Sequence, residues 1–299
     1  MKIVNSNLEE INESSNIRYD DIYNKIVNYL KSTIKDERIL NDMLKDNEYI
    51  LIQETSGDSY TIDLPNGSKK QQPIPSSVGA LKTNMSIRAN SQILGIRPGV
   101  ALRPNFTDHQ LVHELLHAIS SKHINYFDGD GIVYTKTGTK IDYFDRNLND
   151  ASKENNLSSD GLNEGITELL ASIITNEYTG NYPHMVVIAK LLMMSNDNLI
   201  NAYFSHDLKD LEKFYTDLEE KQKVITREDL CKFNSKDVDD ELTTKILVGS
   251  IEYNKSCGNE IDNDTYVGMI NYLDRNYILD SGSWNDLIES YNSEEIVMK

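Results

Sequence analysis

The segment at residues 113–117 constrains this chain more than any other. It has histidines at both ends, four residues apart, and a glutamate directly after the first. On a helix such residues lie on one face, so the imidazoles of His113 and His117 can reach a single Zn²⁺. Glu114 would then lie beside the open coordination position, where a carboxylate can polarise water. The pattern therefore predicts a metal-dependent hydrolytic site on one helix.

The residues around this motif favour a buried helix. Thr107 and Asp108 precede it and are residue types that cap helix N-termini. An apolar face follows at helical spacing, formed by Leu111, Val112, Leu115, Leu116 and Ile119. The alternative is a helix that carries two histidines and holds no metal.

A second apolar segment supplies the missing ligand. Residues 162–172 read as a buried helix that ends near residues 179–180. A catalytic zinc site needs three protein ligands and one water, and Glu164 would complete that set. Glu168, one turn further on, could accept the N–H of a ligand histidine and hold its tautomer. The alternative is that this acidic pair lies on a solvent-exposed face.

The two segments together resemble the gluzincin branch of the zinc metallopeptidases, which pairs a His-Glu-x-x-His helix with a downstream Asn-Glu-x-x-x-Asp/Glu helix. The resemblance covers roughly residues 86–205. It implies that His113, His117 and Glu164 are the zinc ligands and that Glu114 is the general base. It also implies an α+β fold, in which a zincin-like core with a small β-sheet before the metal helix is followed by a mainly helical C-terminal region.

The chain departs from this family in spacing and in one motif. The 46 residues at 118–163 separate the two ligand segments, more than in thermolysin-like enzymes or aminopeptidases. The exopeptidase motif Gly-Ala-Met-Glu-Asn is absent, since residues 79–84 lack the acidic residue that would hold a substrate's free amine. We therefore expect a zinc endopeptidase that acts on peptide or protein substrates. The alternative is a non-catalytic or regulatory zinc protein that acts on one dedicated protein partner.

In gluzincins a Tyr or His downstream of the glutamate ligand typically donates a hydrogen bond to the oxyanion. The candidates here are Tyr182, His184, Tyr203 and His206. Tyr203 lies within a helical apolar pattern, which favours a core position. Tyr182 is the favoured donor, because it lies in the turn that ends the second ligand helix. The alternative is that it is a structural tyrosine.

Composition and charge exclude several other classes of protein. Apolar residues make up 38% of the 299 residues, which is enough to build a core. A net charge of −18 argues against nucleic acid as the main partner, because phosphate contacts need clustered Lys and Arg. Cys231 and Cys257 are predicted to be free thiols. No apolar run has the length of a signal peptide or a membrane span, so we expect a cytoplasmic protein with no membrane partner. The alternative is non-classical export.

Periodicity divides the chain into three regions. Residues 1–47 form a helical N-terminal segment, and residues 48–180 a β-rich, zincin-like subdomain with the metal helix. Residues 181–299 form a helical C-terminal subdomain.

Three β elements are predicted in the middle region. Residues 49–53 and 59–64 read as a hairpin, followed by a turn-rich stretch through Pro73 and Pro75. Residues 93–103 read as a strand, and the resemblance implies that a substrate strand would pair with residues near 99–102 unless that strand is internal. Residues 131–135 and 140–144 read as a second hairpin.

Overall fold

The computed structural model describes residues 2–4, 13–47, 49–55, 59–63, 69–74, 80–89, 92–125, 133–144, 158–234, 239–259 and 261. Helices and strands are both present, so the predicted α+β class is confirmed. The helices are α1 (Glu13–Thr33), α2 (Glu37–Asp46), α3 (Asp108–Ile119), α4 (Asp160–Thr175), α5 (Pro183–Ser195), α6 (Asp197–Phe204), α7 (Leu208–Lys221), α8 (Arg227–Lys232) and α9 (Asp240–Ser256). The strands are β1 (Lys2–Val4), β2 (Tyr49–Glu54), β3 (Ser59–Asp63), β4 (Lys69–Pro73), β5 (Ala80–Ala89), β6 (Gln92–Leu102), β7 (Ser121–Asn125), β8 (Val133–Thr137) and β9 (Lys140–Phe144).

The chain forms two compact units. The N-terminal unit consists of Met1–Lys153, Leu170–Glu177 and Phe204–His206. The C-terminal unit consists of Glu154–Leu169, Tyr178–Tyr203 and Asp207–Lys299. Helix α4 is therefore shared, with its first turns in the C-terminal unit and its last turns in the N-terminal unit. No helix within the described ranges is both long enough and apolar enough to cross a membrane.

A four-stranded sheet organises the N-terminal unit, with strand order β1-β2-β6-β5. Strands β1, β2 and β6 are parallel, and β5 is antiparallel to β6. Strand β2 buries the consecutive residues Ile50, Leu51 and Ile52. Such a continuous apolar run is typical of a parallel strand that is covered on both faces.

The predicted hairpin of residues 49–53 with 59–64 is wrong. Both segments contain strands, but β2 pairs with β1 and β6, whereas β3 pairs with β4. The apolar run of β2 needs cover on both faces, and a central strand position provides that cover where a two-stranded hairpin does not. Within the turn-rich stretch predicted through Pro73 and Pro75, residues 69–73 instead form strand β4.

The strand predicted at residues 93–103 is confirmed as β6, but its predicted contact with substrate is wrong. Gly99 pairs with Leu51 on one side, and Leu102 pairs with Ala80 on the other. Residues 99–102 are therefore internal to the sheet, and no backbone edge is left for an added strand. Strand β5, which the sequence did not predict, is the sheet edge next to β6 in the described part of the chain.

Helix α3 begins where its residues predict. Thr107 is the N-cap, and its side chain and that of Gln110 form a capping box. The apolar face is buried against the sheet, where α3 packs on β5 and β6. Capping and burial together fix the start and the rotation of the helix.

A second sheet of the N-terminal unit has the order β7-β8-β9. The hairpin predicted at residues 131–135 and 140–144 is confirmed as β8 and β9, although residues 131–132 lie outside the described ranges. The connection is shorter than predicted, because β8 continues to Thr137 and Gly138 adopts a left-handed conformation with φ of 57°.

The described part of the C-terminal unit is helical. Helix α5 packs against α9, which also contacts α7 and α8. Cys231 and Cys257 are free thiols, as predicted. The helices predicted beyond residue 261 lie outside the described ranges. Helix α4 ends at Thr175, earlier than predicted, because Asn176 turns left-handed with φ of 56°.

Gly165 sets the closeness of α4 and α5. A Cβ atom at this position would lie 2.6 Å from the carbonyl carbon of Met185 and closer still to its oxygen. We predict that Gly165→Ala lowers the free energy of unfolding by about 1–3 kcal/mol, because backbone must shift. Urea unfolding measures this change. Helix propensity alone predicts that alanine raises the free energy of unfolding, so a stabilised variant would contradict the close packing.

Candidate metal centre

His113 and His117 converge on one point beside helix α3. Their side chains are almost fully buried, with 9% and 6% of their surface exposed. Their Nε2 atoms lie 3.1 Å apart, and the rings meet edge to face. The spacing of four residues produces this convergence, because it places both side chains on one helical face.

The two nitrogens fit a shared zinc ion. Ligand nitrogens about 2.0–2.1 Å from a tetrahedral zinc lie about 3.3 Å from each other. The observed separation of 3.1 Å is close to that value.

Glu164 joins these histidines. One ligand atom from each of His113, His117 and Glu164 lies within 4.8 Å of the other two. Two imidazoles and one carboxylate are the donor set of one class of catalytic zinc site. The structure thus brings together the three residues that the sequence predicted as ligands. Zinc binding would draw these ligand atoms closer together, since two ligands of a tetrahedral zinc lie about 3.3 Å apart.

A polar contact in the N-terminal unit ties α4 to α3. His109 Nδ1 lies 3.2 Å from Thr175 Oγ1, in the last turn of α4. His109 is buried, but it is not among the three clustered ligands.

Glu114 is held by the sheet edge. Its carboxylate accepts a hydrogen bond of 2.5 Å from the backbone N–H of Lys82 on β5. Tyr60 on β3 is also close enough to respond to this charge, since burial first and the Glu114 carboxylate second raise the pKa of its phenol. Sequence reasoning missed both residues. Lys82 makes its contact through a backbone N–H, which does not depend on residue type. Tyr60 is one of 17 tyrosines, and no pattern distinguishes it from the others.

Hydroxyl groups hold the C-terminal end of α3. Ser121 Oγ donates to the His117 carbonyl at 2.6 Å and lies 2.7 Å from Thr137 Oγ1. The Lys82 ammonium donates to the same Thr137 oxygen at 3.1 Å. The last carbonyls of a helix lack partners within it, so this chain of contacts fixes the end that carries His117.

Glu168 is buried, with 2% of its surface exposed. The hydroxyl of Thr179 donates to its Oε1 atom at 2.5 Å, within the C-terminal unit. The alternative of a solvent-exposed acidic pair is therefore wrong for Glu168. Its contact with a ligand histidine stays a prediction.

The candidate oxyanion donors occupy different environments. Tyr182 is half-buried at the start of α5 and has a left-handed backbone with φ of 49°. Tyr203 is a core residue, as its pattern favours, and its hydroxyl lies 2.6 Å from Thr167 Oγ1. His206 Nδ1 lies 2.7 Å from an Asp46 carboxylate oxygen.

Comparisons of the chain with protein-family models, curated proteins and solved structures find no match. The gluzincin resemblance therefore stays a prediction that rests on His113, Glu114, His117 and Glu164.

His184, the remaining candidate, gives the C-terminal unit a pH dependence. It is buried and meets the Phe233 ring edge to face. Burial lowers the pKa of His184 to about 4, and the opposing charge of Asp240 offsets only part of this effect. The unfolded state binds the proton more readily, so the stability from neutral His184 is complete above pH 6.5 and is lost as pH falls toward 4.

We predict that wild type loses roughly 3 kcal/mol more stability than His184→Gln between pH about 7 and about 4. Urea unfolding at several pH values measures the stability of both proteins. Subtracting one curve from the other removes the effect of titratable groups that both proteins share. Parallel curves for the two proteins would contradict a depressed pKa at His184.

Proposed function

We propose that this chain is a zinc-dependent endopeptidase. The convergence of His113, His117 and Glu164 within 4.8 Å is the observation that carries the proposal. The donor set matches that of hydrolytic zinc sites, and both histidines are buried. Free thiols at Cys231 and Cys257 favour a reducing compartment such as the cytoplasm.

In this proposal the three ligands hold zinc and Glu114 moves the proton. Zinc, when bound, supplies a Lewis acid that lowers the pKa of water toward neutrality. Glu114 accepts a proton from the attacking water and then donates it to the leaving amine. The backbone N–H of Lys82 orients the carboxylate for this role. Tyr182 is proposed as the donor to the oxyanion.

The outer edge of β5 suits an extended substrate. The N–H of Lys82 points away from β6, because it donates to Glu114. In an antiparallel pair, backbone groups that face outward recur at every second residue, so an extended peptide can add to this edge. Strand β5 spans Ala80–Ala89, and an edge of that length favours the interior of a chain over its terminus as substrate.

We predict that the purified protein binds about one Zn²⁺ per chain. Replacing His113, His117 or Glu164 by Ala should each abolish tight binding, because each removes one ligand. His109→Ala is the matched control, since it removes a buried histidine of the same helix that lies outside the cluster. Metal analysis after dialysis measures occupancy. Full occupancy in Glu164→Ala would assign the third ligand elsewhere, with Glu168 as the first candidate.

We predict that Glu114→Gln lowers turnover by roughly 10²–10⁴ while zinc stays bound. The amide oxygen of Gln can still accept the Lys82 N–H, so the variant loses the proton acceptor and keeps the contact. Cleavage of an unfolded protein mixture, with and without chelator, measures turnover. Equal turnover in both proteins would contradict the mechanism. Bound zinc without turnover in wild type would favour a regulatory protein or a protease with a single dedicated partner.

A further inference from the structure

A histidine anchors one short chain segment within the N-terminal unit. Residues 204–206 end α6 and lead into α7, and they belong to the N-terminal unit although the residues on either side belong to the C-terminal unit. Phe204 and Ser205 are buried, and only 6% of the His206 side chain is exposed. His206 Nδ1 lies 2.7 Å from Oδ2 of Asp46, the last residue of α2. The proposed peptidase mechanism uses neither His206 nor Asp46.

The carboxylate of Asp46 fixes the tautomer of this histidine. Lys122 on β7 donates to the same Oδ2 atom of Asp46 at 2.9 Å, and the amide of Asn47 holds the end of α2 by donating to the Ile119 carbonyl at 3.0 Å. Burial acts to raise the pKa of Asp46, but the hydrogen bond from Lys122 and the positive charges around it outweigh burial and lower that pKa. Asp46 is therefore ionised near neutral pH. An ionised carboxylate only accepts hydrogen bonds, so the proton of neutral His206 lies on Nδ1.

The second nitrogen of His206 has no place for a proton. Its Nε2 atom is buried and has no hydrogen-bond partner among the described residues. Protonation would create an N–H there without an acceptor, which costs free energy. Burial first, and then the charges of Lys122 and Lys136, lower the pKa of His206, while Asp46 offsets only part of this effect. Geometry and charge therefore both favour the neutral imidazole while the segment is buried.

Three elements carry the charged groups that act on His206 in the described part of the chain. They are Asp46 on α2, Lys122 on β7 and Lys136 on β8. Lys136 is fully buried, so salt screens its charge poorly. Asp207 follows His206 directly, but its carboxylate caps α7. Asp46 keeps 35% of its side chain exposed, so protons from solvent can reach the cluster.

Proton binding opposes the buried position of the segment. Once residues 204–206 are exposed to water, the pKa of His206 returns to its ordinary value of 6.5. The exposed form then binds a proton more readily than the buried form, so the stability from neutral His206 is complete above pH 6.5 and is lost as pH falls below it. We infer that His206, Asp46 and Lys122 form an acid-sensitive latch, which holds residues 204–206 in the N-terminal unit near neutral pH and releases them in acid.

Hydrogen–deuterium exchange of the full-length protein tests the latch. Fragments that span residues 204–206 are followed at pH about 7 and about 5, and the rates are corrected for the intrinsic pH dependence of exchange. In wild type we expect exchange at least about five-fold faster at the lower pH, because the exposed form gains a proton there. His206→Gln should change by less than about two-fold, since its amide can still donate to Asp46 and does not titrate.

Two comparisons separate the latch from other effects of acid. His113 and His117 are unchanged in His206→Gln, so protonation at the metal centre affects both proteins alike. His184→Gln is the matched control, because it removes a buried histidine with a lowered pKa from the C-terminal unit, and it should keep the acid response of residues 204–206. Equal acceleration in wild type and His206→Gln, no acceleration in wild type, or loss of the response in His184→Gln would overturn the inference.

A variant at a partly exposed position and a spectroscopic measurement complete the test. Lys122→Gln removes a charge that disfavours the imidazolium and keeps a donor for Asp46, so acid should accelerate exchange less than in wild type. Nitrogen NMR of the wild-type histidines should show His206 neutral at pH about 7, with its proton on Nδ1. An unchanged acceleration in Lys122→Gln, or an imidazolium at His206 at that pH, would overturn the inference. These outcomes do not depend on whether the chain cleaves peptides.

Discussion

The convergence of two buried imidazoles on α3 is the constraint on which the rest of the site depends. The Nε2 atoms of His113 and His117 lie 3.1 Å apart, close to the separation of two nitrogen ligands on one tetrahedral zinc. Holding them there requires a helix that neither frays nor rotates. The capping box at Thr107 fixes one end, and the hydroxyls of Ser120 and Ser121 fix the other by donating to the His117 carbonyl. Burial of the apolar face fixes the rotation.

The sheet edge and the helix depend on each other through Lys82. Its backbone N–H donates to Glu114, and its ammonium donates to Thr137 on the neighbouring sheet. A shift of β5 by one residue would turn this N–H toward the other side of the strand. The register between β5 and β6, which pairs Lys82 with Val100, therefore sets the position of the proposed general base. The packing of the sheet and the orientation of the Glu114 carboxylate are both consequences of the register between β5 and β6.

Elements of this chain with local sequence signals were predicted correctly, and pairings between distant segments were not. The helices around residues 113 and 164 were predicted, because helical spacing and capping residues act within a few positions of each other. The pairing of β2 was not, since its partner residues 99–102 come about 48 positions later in the chain. Strand β5 was missed because Lys82, Thr83 and Asn84 follow each other without apolar alternation.

Residue types and their spacing are enough to identify the residues of the candidate site. The spacing of His113 and His117 places both on one helical face with Glu114 beside them, and Glu164 was predicted from a second helical segment that matches the gluzincin motif. The distances between these segments depend on tertiary packing. It brought Glu164 to the histidines and buried Glu168. Those placements arise from packing between residues far apart in the chain, and no local pattern specifies such packing.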